Sequence, residues 1–379
     1  MTATNPLFEL KEHGQSVWLD NLTRDLIQSG ELKRLIETRG LRGITSNPAI
    51  FEKAINGNAI YDADIETGAK AGKSVEDIYE SLVIKDIQDA CDIFQGIYEE
   101  SDGLDGYISI EVSPTLAHDA EGTVRDAVRL YETIGRKNVM IKIPGTSEAA
   151  QAISEVVGRG INVNVTLLFS VQDYENAAYA YIEGLEKFAA TGGDISKVAS
   201  VASFFLSRID SNIDDRIEAM LKGDDDLNKE AQLRAYQGKI AIANAKLAYE
   251  KYKGIYASDR WQALAAKGAK VQRLLWASTG TKNPNYSDVM YVDELVGPDT
   301  VNTMPPQTVE ACADHCDIQD RIETGLEGAH RLIDSLPEIG INLDDVMREL
   351  QVEGIEKFVQ PYTSLLNSLQ EKIQRLTPA

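Results

Sequence analysis

A chain of 379 residues, 43% hydrophobic and 26% charged, can bury a large core and has the make-up of a soluble globular protein. Its formal net charge of −22 and pI near 4.6 exclude nucleic acid and anionic membranes as partners, because both would repel this surface. No apolar run approaches the roughly 20 residues of a membrane span, and residues 1–11 lack the layout of a secretory signal, so a cytoplasmic protein is expected.

In chain order, residues 16–20 predict a first strand that ends at a carboxylate, Asp20. Residues 21–38 follow as a helix interrupted at Ser29-Gly30 and closed by Gly40. A second strand at 43–47 is stopped by Pro48, and a long helical insertion is expected over 50–99. The third strand is 107–112, with its helix at 121–134. The fourth, at 139–143, is ended by Pro144 and Gly145 and leads into a helix over 147–158 with Ser147 as its cap. Residues 162–168 and 171–190 give the fifth strand and its helix. The sixth strand, 198–205, precedes an extended helical region over 213–252. Within that region the acidic turn at 223–228 lacks the glycine and glutamate spacing of a calcium loop. Strands at 271–278 and 300–304, then helices over 309–336 and 344–376, complete the chain.

Eight strands alternating with helices predict an α/β fold: a (β/α)8 TIM barrel with inserted helices and a helical C-terminal extension, residues 1–379 forming one domain. Neither Gly-x-Gly-x-x-Gly nor Gly-x-x-x-x-Gly-Lys-Ser/Thr occurs, so a doubly wound nucleotide fold is unsupported. The three cysteines, Cys91, Cys312 and Cys316, are an odd count that fits a reducing compartment. Cys312-Ala-Asp-His-Cys316 lacks a second pair of ligands at zinc spacing and reads as one helical turn.

The fourth strand carries the chemistry. Lys142 shares its parity with Met140, while Val139, Ile141 and Ile143 point to the other face. A strand apolar on both sides belongs to a sheet buried on both faces, and desolvating an ammonium favours the neutral amine, the form that adds to carbonyls. Taken alone, such a lysine could instead snorkel to water or pair with a carboxylate. The other strands weigh against that. Parity puts Thr45 with Asn47, Ser109 with Glu111, and Asn162, Asn164 and Thr166 together on inward faces. A structural barrel core is filled with branched aliphatics. Here Asp20, Asn47, Glu111, Lys142, Asn164 and Thr166 converge on the C-terminal strand ends, an expensive set unless it does chemistry. It suits carbonyl activation: Lys142 forms an iminium with a ketone, which then serves as the electron sink for cleaving the adjacent carbon–carbon bond. Two carboxylates in different surroundings can divide the proton transfers.

Seven segments, in order, resemble the transaldolase family over nearly the whole chain: Leu19-Asp20, Gly43-Ile-Thr-Ser-Asn-Pro48, Ile110-Glu-Val112, Ile141-Lys-Ile-Pro-Gly-Thr146, Asn162-Val-Asn-Val-Thr-Leu-Leu-Phe-Ser170, Ser203-Phe-Phe-Leu-Ser-Arg208 and Trp276-Ala-Ser-Thr-Gly-Thr-Lys-Asn-Pro284. The resemblance implies transfer of a dihydroxyacetone unit, held on Lys142, from fructose 6-phosphate or sedoheptulose 7-phosphate to erythrose 4-phosphate or glyceraldehyde 3-phosphate. This is a step of the non-oxidative pentose phosphate pathway, with no metal or organic cofactor. It implies that Asp20 is the acid/base for bond cleavage, and that Glu111, through a water held with Thr166, shuttles protons for the Schiff base. Thr45, Asn47, Asn164 and Ser203 would hold the donor's hydroxyls and the enamine, and Arg208 and Ser278 match phosphate-binding positions. Shorter bacterial members carry arginine soon after the matching serine, where this chain has Thr279-Gly-Thr-Lys282. Lys282 would bind phosphate as a point charge, without the bidentate fork. A surface ion pair of Arg208 with Asp210 or Asp214 is the competing reading of that arginine.

Two rivals stand against this reading: an aldolase, served by the same residues, that releases free dihydroxyacetone, and a non-catalytic barrel that binds sugar phosphates. A pure binder has no need of an inward lysine between two carboxylates. The acidic surface and the C-terminal helices are compatible with a homodimer, but no specific interface stripe is evident.

Overall fold

A computed structural model describes residues 5–223 and 226–376, so residues 1–4 of the N-terminal stretch and part of the acidic turn at 223–228 lie outside the described residues. Eight parallel strands, β1 (Gln15–Asp20), β2 (Gly43–Thr45), β3 (Ile108–Glu111), β4 (Val139–Pro144), β5 (Val163–Leu168), β6 (Ser200–Phe205), β7 (Arg273–Ala277) and β8 (Thr300–Met304), close into a barrel in chain order. β8 returns to pair with β1, Leu19 opposite Met304. Closure leaves no free sheet edge, and helices cover the outer face, which explains strands that are apolar on their outward parity.

Several helices are shorter than the periodicity predicts. The insertion at 50–99 breaks into Pro48–Asn56, Asp62–Lys70 and Val75–Glu100, because Gly57 and Gly72 end turns and Asn58 and Ser74 cap the next helical segments. The extended region at 213–252 is three helices, Ser207–Leu221, Leu227–Arg234 and Ile240–Tyr256, and 309–336 divides into Pro306–His315 and Leu326–Asp334. Ser147 is not a cap. The helix Ala149–Val157 starts later, Thr146 Oγ1 accepts the Ala149 amide at 3.2 Å, and Ser147 bonds to its neighbour Glu148. Cys312 and Cys316 do span one helical turn, but their sulfurs are joined. Residues four apart share a helix face, so adjacency, which an odd count cannot reveal, decides this pair. Cys91 is free and buried. Among the described residues no helix is long and apolar enough to cross a membrane.

The floor of the barrel, at the strand starts, holds a buried polar network centred on Asp105. Asp105 accepts from Ser16 Oγ at 2.8 Å, Trp18 Nε1 at 3.1 Å and Arg273 Nη2 at 3.0 Å. Arg273 also donates to Ser16 Oγ at 2.8 Å and to the Leu104 carbonyl at 2.7 Å. Burial alone would raise the Asp105 pKa, but the Arg273 charge and these hydrogen bonds outweigh it and hold the pKa below its ordinary value.

At the opposite end, the C-terminal helix Leu343–Leu376 lies across the mouth. Its 34 residues span about 50 Å. Met347, Leu350, Gly354 and Phe358, three or four residues apart, form one buried stripe. Gly354 permits close seating, since a Cβ there would stand 2.9 Å from a Leu167 methyl. Gln351 Nε2 donates to the Gly145 carbonyl at 3.2 Å, and Lys372 ties the far end to the Ile55 and Asn58 carbonyls.

Candidate active site

β3, β4 and β5 present Glu111, Lys142 and Asn164 in one register row across the lumen. The Lys142 ammonium is buried, donates to the Ser46 carbonyl at 2.9 Å, and stands 4.0 Å from a Glu111 carboxylate oxygen. The Phe358 ring lies over it, 5.7 Å from the nitrogen. The predicted parity therefore holds; the lysine does not snorkel to water, but it does pair with a carboxylate, that of Glu111.

The two carboxylates occupy different surroundings. Asp20 ends β1 and accepts from Thr45 Oγ1 at 2.7 Å; Thr45 in turn contacts Thr303 Oγ1 at 2.6 Å. Burial raises the Asp20 pKa, opposed by Lys142, the Thr45 hydrogen bond, Arg208 and Lys282. Glu111 has no such partner: both its oxygens are buried without a hydrogen bond. Burial, with a small push from Asp20, overrides Lys142 and raises its pKa from 4.5 to about 7. Thr166 Oγ1 and one Arg208 guanidinium nitrogen are likewise buried and unpaired. Buried polar atoms are nearly always satisfied, so these groups keep donors and acceptors open to a polar ligand.

The hydroxyl and amide residues form a second tier. Asn164 donates to Ser109 Oγ at 3.1 Å and accepts from Ser203 Oγ at 2.7 Å, which fixes its amide orientation. Asn47 caps the helix Pro48–Asn56 through its side-chain oxygen and lines a cavity of about 450 Å³ with Glu111, Tyr79 and Tyr362. Asn162 is different. It bonds the Lys137 and Val139 carbonyls and the Ala199 amide at the strand starts, away from the site.

Backbone conformation is unusual at two of these strand ends. Leu167 follows Thr166 with φ 57° inside a register shift of β5, and Ser278 follows β7 with φ 57°. Left-handed backbone is costly for leucine and serine, and such strain gathers at functional sites. Ser278 Oγ meets Ser207 Oγ at 2.8 Å, joining the loops after β6 and β7.

Arg208 and Lys282 line a further cavity of about 630 Å³ with Glu353 and Lys357 of the C-terminal helix. Asp210 and Asp214 take no part in holding Arg208; they accept hydrogen bonds from Tyr291 and Tyr286. The Arg208 guanidinium lies 5.1 Å from the Phe205 ring centre, and burial pulls its pKa below the ordinary value against Asp20 and Glu353. Two cavities thus flank the C-terminal helix, one ending at Glu111 and one at Arg208, with Lys142 beneath Phe358 between them.

Ten of the eleven residues singled out from the sequence lie in the C-terminal half of their strands or in the segments that follow; the eleventh, Asn164, is the second residue of β5 and joins them by pairing with Lys142. The sequence reading missed Thr303, which the parity of β8 could have shown, and Ser46, which acts through its carbonyl. It also missed Phe358, whose place over Lys142 no local pattern encodes. Among the described residues no group of three or more His, Cys, Asp or Glu side chains could hold a metal ion.

A family model described as transaldolase/fructose-6-phosphate aldolase matches residues 17–369. The chain is 65% identical over 377 residues to a transaldolase of Trichodesmium erythraeum, covering 99% of each chain. It is 64% identical to transaldolase 2 of a Nostoc species, covering 99% of this chain and 100% of that one. It is 47% identical to a transaldolase of Mycolicibacterium smegmatis, with 98% of each covered.

Proposed function

This chain belongs to the transaldolase/fructose-6-phosphate aldolase family, and from that premise we propose how its site works. The activity is that of a transaldolase of the pentose phosphate pathway. The donor is fructose 6-phosphate or sedoheptulose 7-phosphate, and the acceptor is erythrose 4-phosphate or glyceraldehyde 3-phosphate. The observation that carries the residue assignment is the buried Lys142 ammonium, set 4.0 Å from a carboxylate whose oxygens have no other partner.

Glu111 takes a proton from the Lys142 ammonium 4.0 Å away, and the freed amine adds to the ketone carbon of the donor. Glu111, poised near neutrality, gives a proton to the departing hydroxyl as the carbinolamine becomes an iminium, with Thr166 holding the water released. Asp20 then takes the proton of the hydroxyl on the far carbon of the breaking bond, the carbon that becomes the aldehyde. That bond's electrons flow into the iminium, the aldose phosphate leaves, and an enamine remains on Lys142. The acceptor aldehyde enters, the enamine attacks it, and the steps reverse. The iminium itself is the electron sink, so the reaction calls for no metal or organic cofactor. Thr45, Asn47, Asn164 and Ser203 hold the sugar hydroxyls, while Arg208, Ser278 and Lys282 hold the phosphate. The Phe358 ring shields the Lys142 nitrogen, which favours transfer over release of free dihydroxyacetone. Residues 1–379 work as one domain in the cytoplasm.

The division of labour between the carboxylates has a direct test. Asp20→Asn should still form the iminium with fructose 6-phosphate but fail to cleave it. Borohydride reduction should then fix the whole six-carbon sugar phosphate on the protein. Six-carbon adduct from Glu111→Gln, with none from Asp20→Asn, would reverse the two roles.

A further inference from the structure

The helix that carries Arg208, Ser207–Leu221, also carries Asp210 and Asp214, four residues apart and both buried. Asp210 accepts the Ala241 amide at 2.8 Å and the Tyr291 hydroxyl at 2.7 Å. Asp214 accepts the Gly238 amide at 3.1 Å and the Tyr286 hydroxyl at 2.7 Å. Like charges one helical turn apart repel, and burying them costs more, so the pair is an expensive way to dock two tyrosines.

Both tyrosines lie just beyond Lys282 in the segment after β7. The loop there is bonded to itself: Thr281 Oγ1 donates to the Ser287 carbonyl at 2.8 Å, and the Tyr286 amide to the Asn283 carbonyl at 3.1 Å. At its near end the Ser207 amide donates to the Ser278 carbonyl at 3.2 Å. A seat for Tyr286 is built in as well. Gly238 has φ +67°, and a Cβ there would stand 2.8 Å from the tyrosine ring. Lys282 itself is exposed, with no hydrogen bond or ion pair of its own among the described residues. Its ammonium is therefore placed only through the backbone it springs from, and that backbone is tied to the Arg208 helix at Ser278 on one side and Tyr286 on the other.

We propose that Asp214 and Tyr286, backed by Asp210 and Tyr291, are positioning residues that set the Lys282 loop at the separation from Arg208 that one substrate phosphate can bridge. The proposal rests on the reading of Arg208 and Lys282 as the phosphate site. A phosphate bound between a guanidinium on a helix and an ammonium on a loop is held by both only while the two elements keep their spacing. Losing the Tyr286 tie lets the loop swing outward, and Arg208 then holds the phosphate alone.

The test compares fructose 6-phosphate with fructose as donors in a double-mutant cycle. Tyr286→Phe keeps the ring against Gly238 and removes only the hydroxyl. It should raise KM for fructose 6-phosphate about 3–10-fold, as loss of one hydrogen bond would, with kcat and the kinetics on fructose little changed. Placed on Lys282→Ala, the same substitution should add almost nothing, because the ammonium it positions is gone. Asp214→Asn, which retains an acceptor, should fall between wild type and Asp214→Ala. Equal losses on both donors, or a full additional loss on Lys282→Ala, would make the tie merely structural and overturn the proposal. Lys282→Ala alone separates the two claims. If it harms both donors equally, the phosphate reading itself falls, whatever Tyr286→Phe does.

Discussion

The barrel buries charge at both ends and treats it in opposite ways. At the floor, Asp105 and Arg273 are matched to each other and to Ser16, Trp18 and a carbonyl, and the carboxylate is held in its ionised form. At the mouth, Glu111 lies 4.0 Å from Lys142 yet keeps two oxygens without a hydrogen bond, and its pKa is about 7. Burial and chemical type are alike. Satisfaction is what differs. A satisfied buried pair supports the fold, whereas an unsatisfied one keeps its hydrogen-bonding capacity for a ligand and its proton for a reaction. This agrees with the general division of such barrels into a stabilising N-terminal face and a reactive C-terminal face.

Substitution at each end should break the contrast in opposite currencies. Lys142→Met should reduce turnover to below about 10⁻⁴ of wild type, as loss of a covalent nucleophile does, while leaving the melting temperature equal or higher, because Glu111, with a pKa already about 7, can stay protonated and neutral once the ammonium is gone. Asp105→Ala should do the reverse. It strands the buried Arg273 charge and should cost about 3–5 kcal/mol of stability in denaturant titrations, with turnover per folded molecule little changed. A stability loss in the first variant, or an activity loss without a stability loss in the second, would erase the distinction.

The pH dependence of stability should differ in sign between the ends. Glu111 has a folded pKa of about 7 against an ordinary 4.5, so its contribution to stability is full below pH 4.5 and is lost as pH rises through 7. The shift corresponds to about 3 kcal/mol. Asp105 has a folded pKa below its ordinary 3.8, so its contribution is present above that value and is lost as pH falls through the folded pKa. Glu111→Gln should remove the slope between pH 4.5 and 7 and leave the acid limb intact. A slope that persists in Glu111→Gln would assign it to another group.

The smallest expected effect is at the rim. Arg208→Ala should raise KM for phosphorylated sugars about tenfold, from the loss of a charge-assisted contact, and should matter far less for fructose. Equal losses on the two donors would take the phosphate role from Arg208.

How far the sequence was legible depends on how each feature is encoded. Strand parity is local, so the inward set of Lys142, Glu111, Asn164 and Thr166 could be read from alternation alone, and pairing sets the first three side by side in one register row. Charge satisfaction is not local. Nothing near Glu111 in the chain says that its oxygens lack partners, and nothing near Asp105 says that Arg273 arrives from the seventh strand. The same holds for Asp210 and Asp214, which the sequence offered as partners of Arg208 and which the fold gives to tyrosines instead. Helix lengths were overread where glycines and capping side chains interrupt an apolar rhythm, as at Gly72 and Ser74. The Cys312–Cys316 link escaped a count that considered parity of number rather than helix geometry.

The proposed mechanism turns on the buried lysine at the unsatisfied end, which it assigns as the bearer of the covalent intermediate. Reduction of the protein with borohydride in fructose 6-phosphate, with mass spectrometry and peptide mapping of the product, tests this most directly. One reduced three-carbon unit per chain is expected, on Lys142, with no label in Lys142→Met. A label on Lys282 or Lys270 with Lys142 unmodified, or no covalent adduct at all, would contradict it.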